Sequence, residues 1–578
     1  MELGKWTESG YNDSGWQLAE RMEAPKGKLV AQLSPSLKVM EEIKPISVKS
    51  VGDGRYIVDM GQNMVGIQQV KLRGKKDKPI TMRFAEVLKD NGTELYLDNL
   101  RSALVTDIYT PAADGEFVWE PLFVYHGFRF MEISGLDYEP AADDFTGKVV
   151  YDEMATNGTF ETSEELINRL HKNAYWGIRG NYRGMPTDCP QREKNGWTGD
   201  GHFAIETALY NYDGITVYEK WLADHRDEQQ PNGVLPDIIP TGGWGYGTDN
   251  GLDWTSTIAI IPWNIYMFYG DHKLLADCYE NIRRYVDYVD RTSPTGLTSW
   301  GRGDWVPVKS HSSKELTSSV YFYVDTKILA NAAKMFNKTE DYKYYSALAN
   351  KIKNAINDKF LNRETGIYGS GVQTEQSVPL QWGIVPEELK RKVARNLAKQ
   401  VEAAGFHLDV GVLGAKAILN ALSENGEAET AYKLAAQDTY PSWGCWIANG
   451  ATTLLENWDL NATRDISDNH MMFGEIGGWF YKGLGGIFPD PENPGFKHIL
   501  LRPNFPSGLN EFEARYQSPY GEICSKWERK KNRIFYHVTV PANSTATFYA
   551  PDNVKGERAV NLEAGEHILE LLLLRSSK

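Results

Sequence analysis

The chain has 578 residues with a net charge of −15, longer than one hydrophobic core serves, so two to four domains are expected. The acidic balance, with no extended Lys/Arg cluster, excludes a phosphate-backbone footprint and so a nucleic-acid partner. No apolar run reaches a membrane span, residues 1–25 lack the basic-then-apolar pattern of a secretion leader, and Cys189, Cys278, Cys445 and Cys524 are too scattered for a zinc site or a disulfide framework.

Residues 1–24 hold a turn-rich stretch, Gly10-Tyr11-Asn12-Asp13-Ser14-Gly15-Trp16, too short to fold alone. From 25 to 155 the apolar period is two. Ile80, Met82 and Phe84 alternate with Thr81 and Arg83, and Asp53-Gly54 and Asn91-Gly92 supply turns beside β-prone runs, the pattern of a β-sandwich. Asp59-Met60-Gly61-Gln62-Asn63 and Tyr125-His126-Gly127-Phe128-Arg129 are expected to satisfy backbone groups rather than do chemistry.

Near 160 the period lengthens. Thr162-Ser163-Glu164-Glu165 reads as a capping box before Leu166, Ile167 and Leu170 at helical spacing. Asp271 caps a helix through Leu274, Cys278, Ile282 and Tyr285, and another runs from Pro386 through Val393 and Leu397 to Gly405. Between such helices lie loops rich in Gly and Trp at 241–255, 296–307, 366–383 and 440–458. About a dozen helices with loops gathered at one end fit an (α/α)6 barrel, and periodicity alone leaves an open solenoid available. After about 490 the period returns to two, as in Ile534, Tyr536, Val538 and Val540, and a second β-sandwich follows. Its last strand, from Ile568 to Leu573, is nearly continuously apolar and calls for cover on both faces.

One irregular stretch concentrates chemistry. Asp188-Cys189-Pro190-Gln191-Arg192-Glu193-Lys194-Asn195-Gly196-Trp197-Thr198-Gly199-Asp200 sets carboxylates, an arginine and a tryptophan among one proline and two glycines, which disfavour a continuous helix. A tryptophan face suits the apolar side of a sugar, and carboxylates suit hydroxyls and proton transfer. A charged connecting loop is the plain alternative.

The stretch resembles, almost residue for residue, the signature D-C-P-Q-R-E-x-x-G-W-T-G-D of the α-L-rhamnosidases of glycoside hydrolase family 78, with only Lys194 and Asn195 off the usual residues. Gly450-Ala451-Thr452-Thr453-Leu454-Leu455-Glu456-Asn457-Trp458-Asp459 resembles that family's G-A-T-T-x-x-E-x-W-D motif, and the polar motifs between 59 and 129 resemble its β domain. The resemblance implies a multidomain chain: an (α/α)6-barrel catalytic domain at 156–490, flanked by antiparallel β-sandwich domains at 25–155 and 491–578, with 1–24 the remnant of an N-terminal β domain in a shortened chain.

It also implies exo-hydrolysis of terminal α-L-rhamnose with inversion, Glu193 as general acid and Glu456 as general base. The acid role needs a carboxyl kept protonated near neutrality, which like-charge repulsion from Asp188 and Asp200 and burial against Trp197 would favour. Asp188, Arg192, Trp197, Asp200, Asp253, Trp254, Trp305, Trp443 and His470 are the implied sugar-binding residues. For each tryptophan core packing is the alternative, and for His470 the holding of a loop. Glu375 and Glu475 stand as alternative second carboxylates. No metal or cofactor is implied, the partner is a rhamnose-bearing carbohydrate, and a homodimer is left open. A binding protein on the same barrel, or a hydrolase for another sugar, is the competing function.

Overall fold

The computed structural model describes residues 5–247 and 249–574. Residues 5–36 contain turns and no strand. The expected β remnant is there a ring cluster of Trp6, Tyr11 and Trp16 beside a turn in which Asn12 accepts from Ser14 N–H at 3.0 Å.

The alternation at Ile80, Met82 and Phe84 is a strand, Ile80–Ala85, with those three side chains buried. It belongs to an eight-stranded sheet whose spine is the 20-residue strand Arg55–Gly74, paired antiparallel with His126–Ser134 and Phe145–Asp152. The register with His126–Ser134 slips between Asp59 and Met64. Gly61 sits in that bulge at φ 72°, a conformation that favours glycine. The bulge turns Gln62 and Asn63 towards the helical region, where Gln62 Nε2 donates to the Thr452 carbonyl at 2.9 Å and Asn63 N–H to Thr452 Oγ1 at 2.8 Å. Residues expected only to satisfy backbone groups thus dock the sheet onto the segment that carries Glu456. His126 stacks on Phe84 and lies 3.1 Å from Asp107 Oδ1.

Helices fill the span from Glu165–Gly180 to Glu475–Trp479. The first buries Ile167, Leu170, Ala174 and Ile178, but the expected capping box does not form. Ser163 Oγ instead accepts from Asn510 and Glu511 N–H at 3.2 and 3.3 Å, and Thr162 Oγ1 takes Glu164 N–H at 3.1 Å. Asp271 accepts from Lys273 N–H at 2.8 Å where Lys273–Thr292 opens, and Lys390–Ala403 ends just before Gly405 at φ 67°. Lys314–Met335 and Thr339–Phe360 pack as a hairpin. Three stretches expected as loops contain short helices, Leu252–Thr255, Gln373–Gln381 around Pro379 and Trp443–Ala448 capped by Ser442. Among the described residues no helix is long and apolar enough to cross a membrane.

Two further sheets follow, of six and four strands, meeting where Tyr536 and Phe548 lie 5.5 Å apart. Gly158–Thr162 pairs with Glu511–Ser518 in the larger sheet, and Ile487–Pro489 pairs with His498–Leu501 in the smaller. Both strands fall inside 156–490 by number and outside the helical layer by pairing. His498–Leu501 runs parallel to Thr545–Tyr549, an exception to the antiparallel expectation. The last strand, Gly565–Leu573, is covered on one face only: Leu569, Leu571 and Leu573 pack on the core while Ile568 is 67% exposed.

Candidate active site

The stretch 188–200 is irregular up to Trp197 and then enters a short helix, Thr198–Phe203, so Asp200 is presented from a helix and not from a loop. Asp188 closes the irregular part on itself: its Oδ1 accepts Asn195 N–H at 2.8 Å, and Cys189 Sγ–H donates to Oδ2 at 2.7 Å. The glycines permit close approach. A Cβ on Gly196 would lie 2.1 Å from the Ile239 carbonyl oxygen, and one on Gly199 2.6 Å from the Trp254 ring.

This loop, the helix after it and the segment after Gly450 enclose a cavity of about 210 Å³. Of the candidates, Asp188, Glu193, Trp197 and Asp200 line it from one side, and Trp254, Trp305, Glu456 and His470 from the others. A larger hollow of about 590 Å³ lies between the helices and the C-terminal sheets, lined by Lys390, Arg391, Glu424 and Asp552 among others. Arg391 pairs there with Asp552 at 2.8 Å and none of the candidate carboxylates lines it, so size does not mark the chemistry here.

Glu456 is buried. Its Oε2 accepts from Arg192 Nη2 at 2.7 Å and from Ser467 N–H at 2.8 Å, leaving Oε1 3.8 Å from His470 Nε2. Across the cavity, Glu193 Oε2 accepts from Trp197 Nε1 at 2.9 Å, and Oε1 lies 3.5 Å from Arg192 Nε. One guanidinium, 2% exposed, is therefore shared between the two carboxylates. His470 Nδ1 lies 3.4 Å from both the Met472 backbone nitrogen and Asp200 Oδ1, so the ring bridges Asp200 on one side and Glu456 on the other. Burial, with the charge of Arg192 next, pulls the His470 pKa down to about 3, so the ring is neutral.

Like-charge crowding falls on the aspartates. Burial, then the charge of Glu193, pushes Asp188 up to about 7. Burial, then the charge of Asp188, holds Asp200 well above the ordinary carboxylate range. Asp200 Oδ1 has His470 Nδ1 at 3.4 Å and no well-formed hydrogen bond among the described residues, and a hydroxyl entering the cavity would supply one.

Three candidates do not face the cavity. Trp443 is 0% exposed, donates its indole N–H to the Phe473 carbonyl at 3.2 Å and sets its edge on Trp458, so it is core and not a wall. Asp253, in the short helix Leu252–Thr255, is spent on holding the 296–307 loop, accepting N–H from Arg302 at 2.7 Å and Gly303 at 2.6 Å. Arg192 reaches the two glutamates and no open space. Trp254, though it lines the cavity, is only 4% exposed, against 38% for Trp305. The alternative carboxylates lie elsewhere: Glu375 accepts from Ser313 and Ser370, and Glu475 sits 3.5 Å from Lys416 in the helical core.

The cavity also contains residues that the motifs did not single out. Trp244, 67% exposed, and Arg302, whose guanidinium stands 4.9 Å above the Trp197 ring, come from the loops marked by glycine and tryptophan. Met472 and Asp465 flank His470 in sequence. Arg101 comes from the first sheet's domain, and no local pattern pointed to it.

The family model described as the bacterial α-L-rhamnosidase six-hairpin glycosidase domain matches residues 155–484, its concanavalin-like domain 49–151 and its C-terminal domain 486–564. An α-L-rhamnosidase of Streptomyces avermitilis is 32% identical over 563 residues, covering 95% of this chain and 54% of the relative. One from Formosa agariphila is 32% identical, covering 100% and 64%. The chain thus spans roughly half to two thirds of these curated relatives. Among solved structures, an α-L-rhamnosidase from Dictyoglumus thermophilum superposes with a TM-score of 0.93 at 35% identity, covering 99% of this chain and 68% of that one. The Streptomyces avermitilis enzyme complexed with L-rhamnose gives 0.90 at 31%, covering 98% and 56%.

Proposed function

Because the chain belongs to the bacterial α-L-rhamnosidase family, we propose that it removes terminal α-L-rhamnose from glycosides or polysaccharides by single displacement with inversion. In this reading the helices form an (α/α)6 barrel between β-sandwich domains, Glu193 protonates the leaving oxygen and Glu456 takes a proton from the attacking water. The observation that carries it is that Glu193 and Glu456 line one small cavity and share Arg192. With both donors to Glu456 on Oε2, its Oε1 is the atom available to a water, and His470 Nε2, 3.8 Å away, is near enough to help orient it. Asp188 and Asp200 take hydroxyls, and Trp305 offers the sugar's apolar edge a surface.

Incubation with p-nitrophenyl α-L-rhamnopyranoside, followed by NMR of the first product formed, tests the reading. Release of nitrophenol with β-L-rhamnose appearing first is the expected result. Sugar binding without release would make the protein a binding module, and first appearance of the α anomer would refute inversion.

A further inference from the structure

Arg101 follows the turn Asp98–Leu100 in the first sheet's domain, and its backbone, at φ 54° and ψ −114°, is one that a side-chain-bearing residue rarely adopts. The turn is held from two sides: Asn99 Nδ2 donates to buried Glu86 at 2.9 Å, and the Asn99 carbonyl lies 3.5 Å from Arg192 Nη1. A strained, anchored turn thus delivers one guanidinium to the cavity. Arg101 Nη1 donates to Glu193 Oε1 at 2.7 Å and Nη2 to Asp465 Oδ1 at 3.3 Å.

A carboxyl that hands a proton to a glycosidic oxygen must turn an O–H towards it. Glu193 Oε2 is taken by the Trp197 indole, so Oε1 is the atom left for the leaving group, and Arg101 occupies it. Once Oε1 carries a proton it is a poorer acceptor for a guanidinium, and the leaving oxygen must come within hydrogen-bond reach of that same atom, so the two compete for it. Arg192 is buried and tied to Glu456, whereas the Arg101 side chain is 50% exposed and already has Asp465 as a second partner. Arg101 is the neighbour able to leave.

We propose that Arg101 is a specificity-determining residue on the leaving-group side. When substrate binds it gives up Glu193, keeps Asp465, and donates to oxygen acceptors, hydroxyl or carboxylate, of the sugar to which rhamnose is joined. Exposed Trp244 and Arg464 stand on the same cavity. This inference rests on Glu193 acting as the acid of an α-L-rhamnosidase.

The test is calorimetric titration of Glu456→Gln protein, with and without Arg101→Ala, using L-rhamnose, a rhamnosyl-glucose and a rhamnosyl-glucuronate. Arg101→Gly, which suits the backbone, separates loss of the side chain from relief of strain. Affinity for L-rhamnose should stay within about twofold, and affinity for disaccharide should fall about tenfold or more in both variants, the size of one lost charge-assisted hydrogen bond. Loss on both disaccharides supports hydroxyl recognition, and loss on the glucuronate alone supports carboxylate recognition. Unchanged disaccharide affinity, or an equal loss for L-rhamnose itself, overturns the assignment while leaving the rhamnosidase reading intact. Failure of the unsubstituted protein to bind L-rhamnose at all overturns both.

Discussion

Glu193 and Glu456 differ in what surrounds them, and their substitutions should differ in kind. Glu193→Gln removes a proton donor that a poor leaving group needs more than an activated aryl one. Its kcat/KM on a disaccharide should fall about 10²–10⁴-fold and on the p-nitrophenyl glycoside distinctly less, and equal losses measured side by side would speak against the acid role. The tryptophans divide in the same way. Trp305 is 38% exposed on the cavity and Trp443 0% in the core, so Trp305→Ala should raise KM with little change in Tm. Trp443→Ala should cost about 3–5 kcal/mol of stability, read by denaturant titration. The reverse pattern would mean that the wall has been assigned to the wrong indole.

At the scale of elements, the short helix Thr198–Phe203 and the bulge at Asp59–Met64 position the site without touching a sugar. Gly199→Ala would push a methyl to 2.6 Å from Trp254, displacing the helix that carries Asp200. A stability loss of about 1–3 kcal/mol is expected, with kcat/KM for aryl rhamnoside falling too, and full activity in a crystal-verified Gly199→Ala would show that the helix has slack. Such elements explain what was legible in the sequence. Period-two and period-3.6 runs reported strands and long helices because burial there repeats along the chain. The cavity's near side was legible because its residues are neighbours in sequence between 188 and 200. Arg101 was not, since it enters through a domain contact and local patterns carry no record of what a folded neighbour faces. Trp443 was misjudged for the same reason: its segment borders the site, and only packing against Trp458 and Phe473 decides which way the ring points.

Across the whole molecule, the sheet domain and the helical region meet on buried carboxyls. Glu86 accepts from Asn63 Nδ2 at 3.1 Å, Asn99 Nδ2 at 2.9 Å and Asp468 N–H at 2.9 Å, joining the bulge, the Arg101 turn and the segment that bears His470. Burial, then the charge of Asp468, pushes Glu86 up to about 8. Burial, then the charge of Glu456, pushes Asp468 up to about 7. Unfolded, both would titrate near 4. Between roughly pH 4 and 8 the folded state therefore binds protons that the unfolded state has released, and stability falls as pH rises through that window. The buried histidines act oppositely: burial pulls His171 and His225 to about 4 and His202 and His470 to about 3. The unfolded chain then binds the extra protons below about pH 6.5, and stability falls as pH falls. The two trends oppose each other up to about 6.5, and above it these histidines no longer contribute. Tm should therefore decline from pH 6.5 to 8.5, and Glu86→Gln, with no charge to acquire at the interface, should start lower and decline less. Parallel Tm curves for the two proteins over that range would mean that Glu86 carries the same charge throughout it.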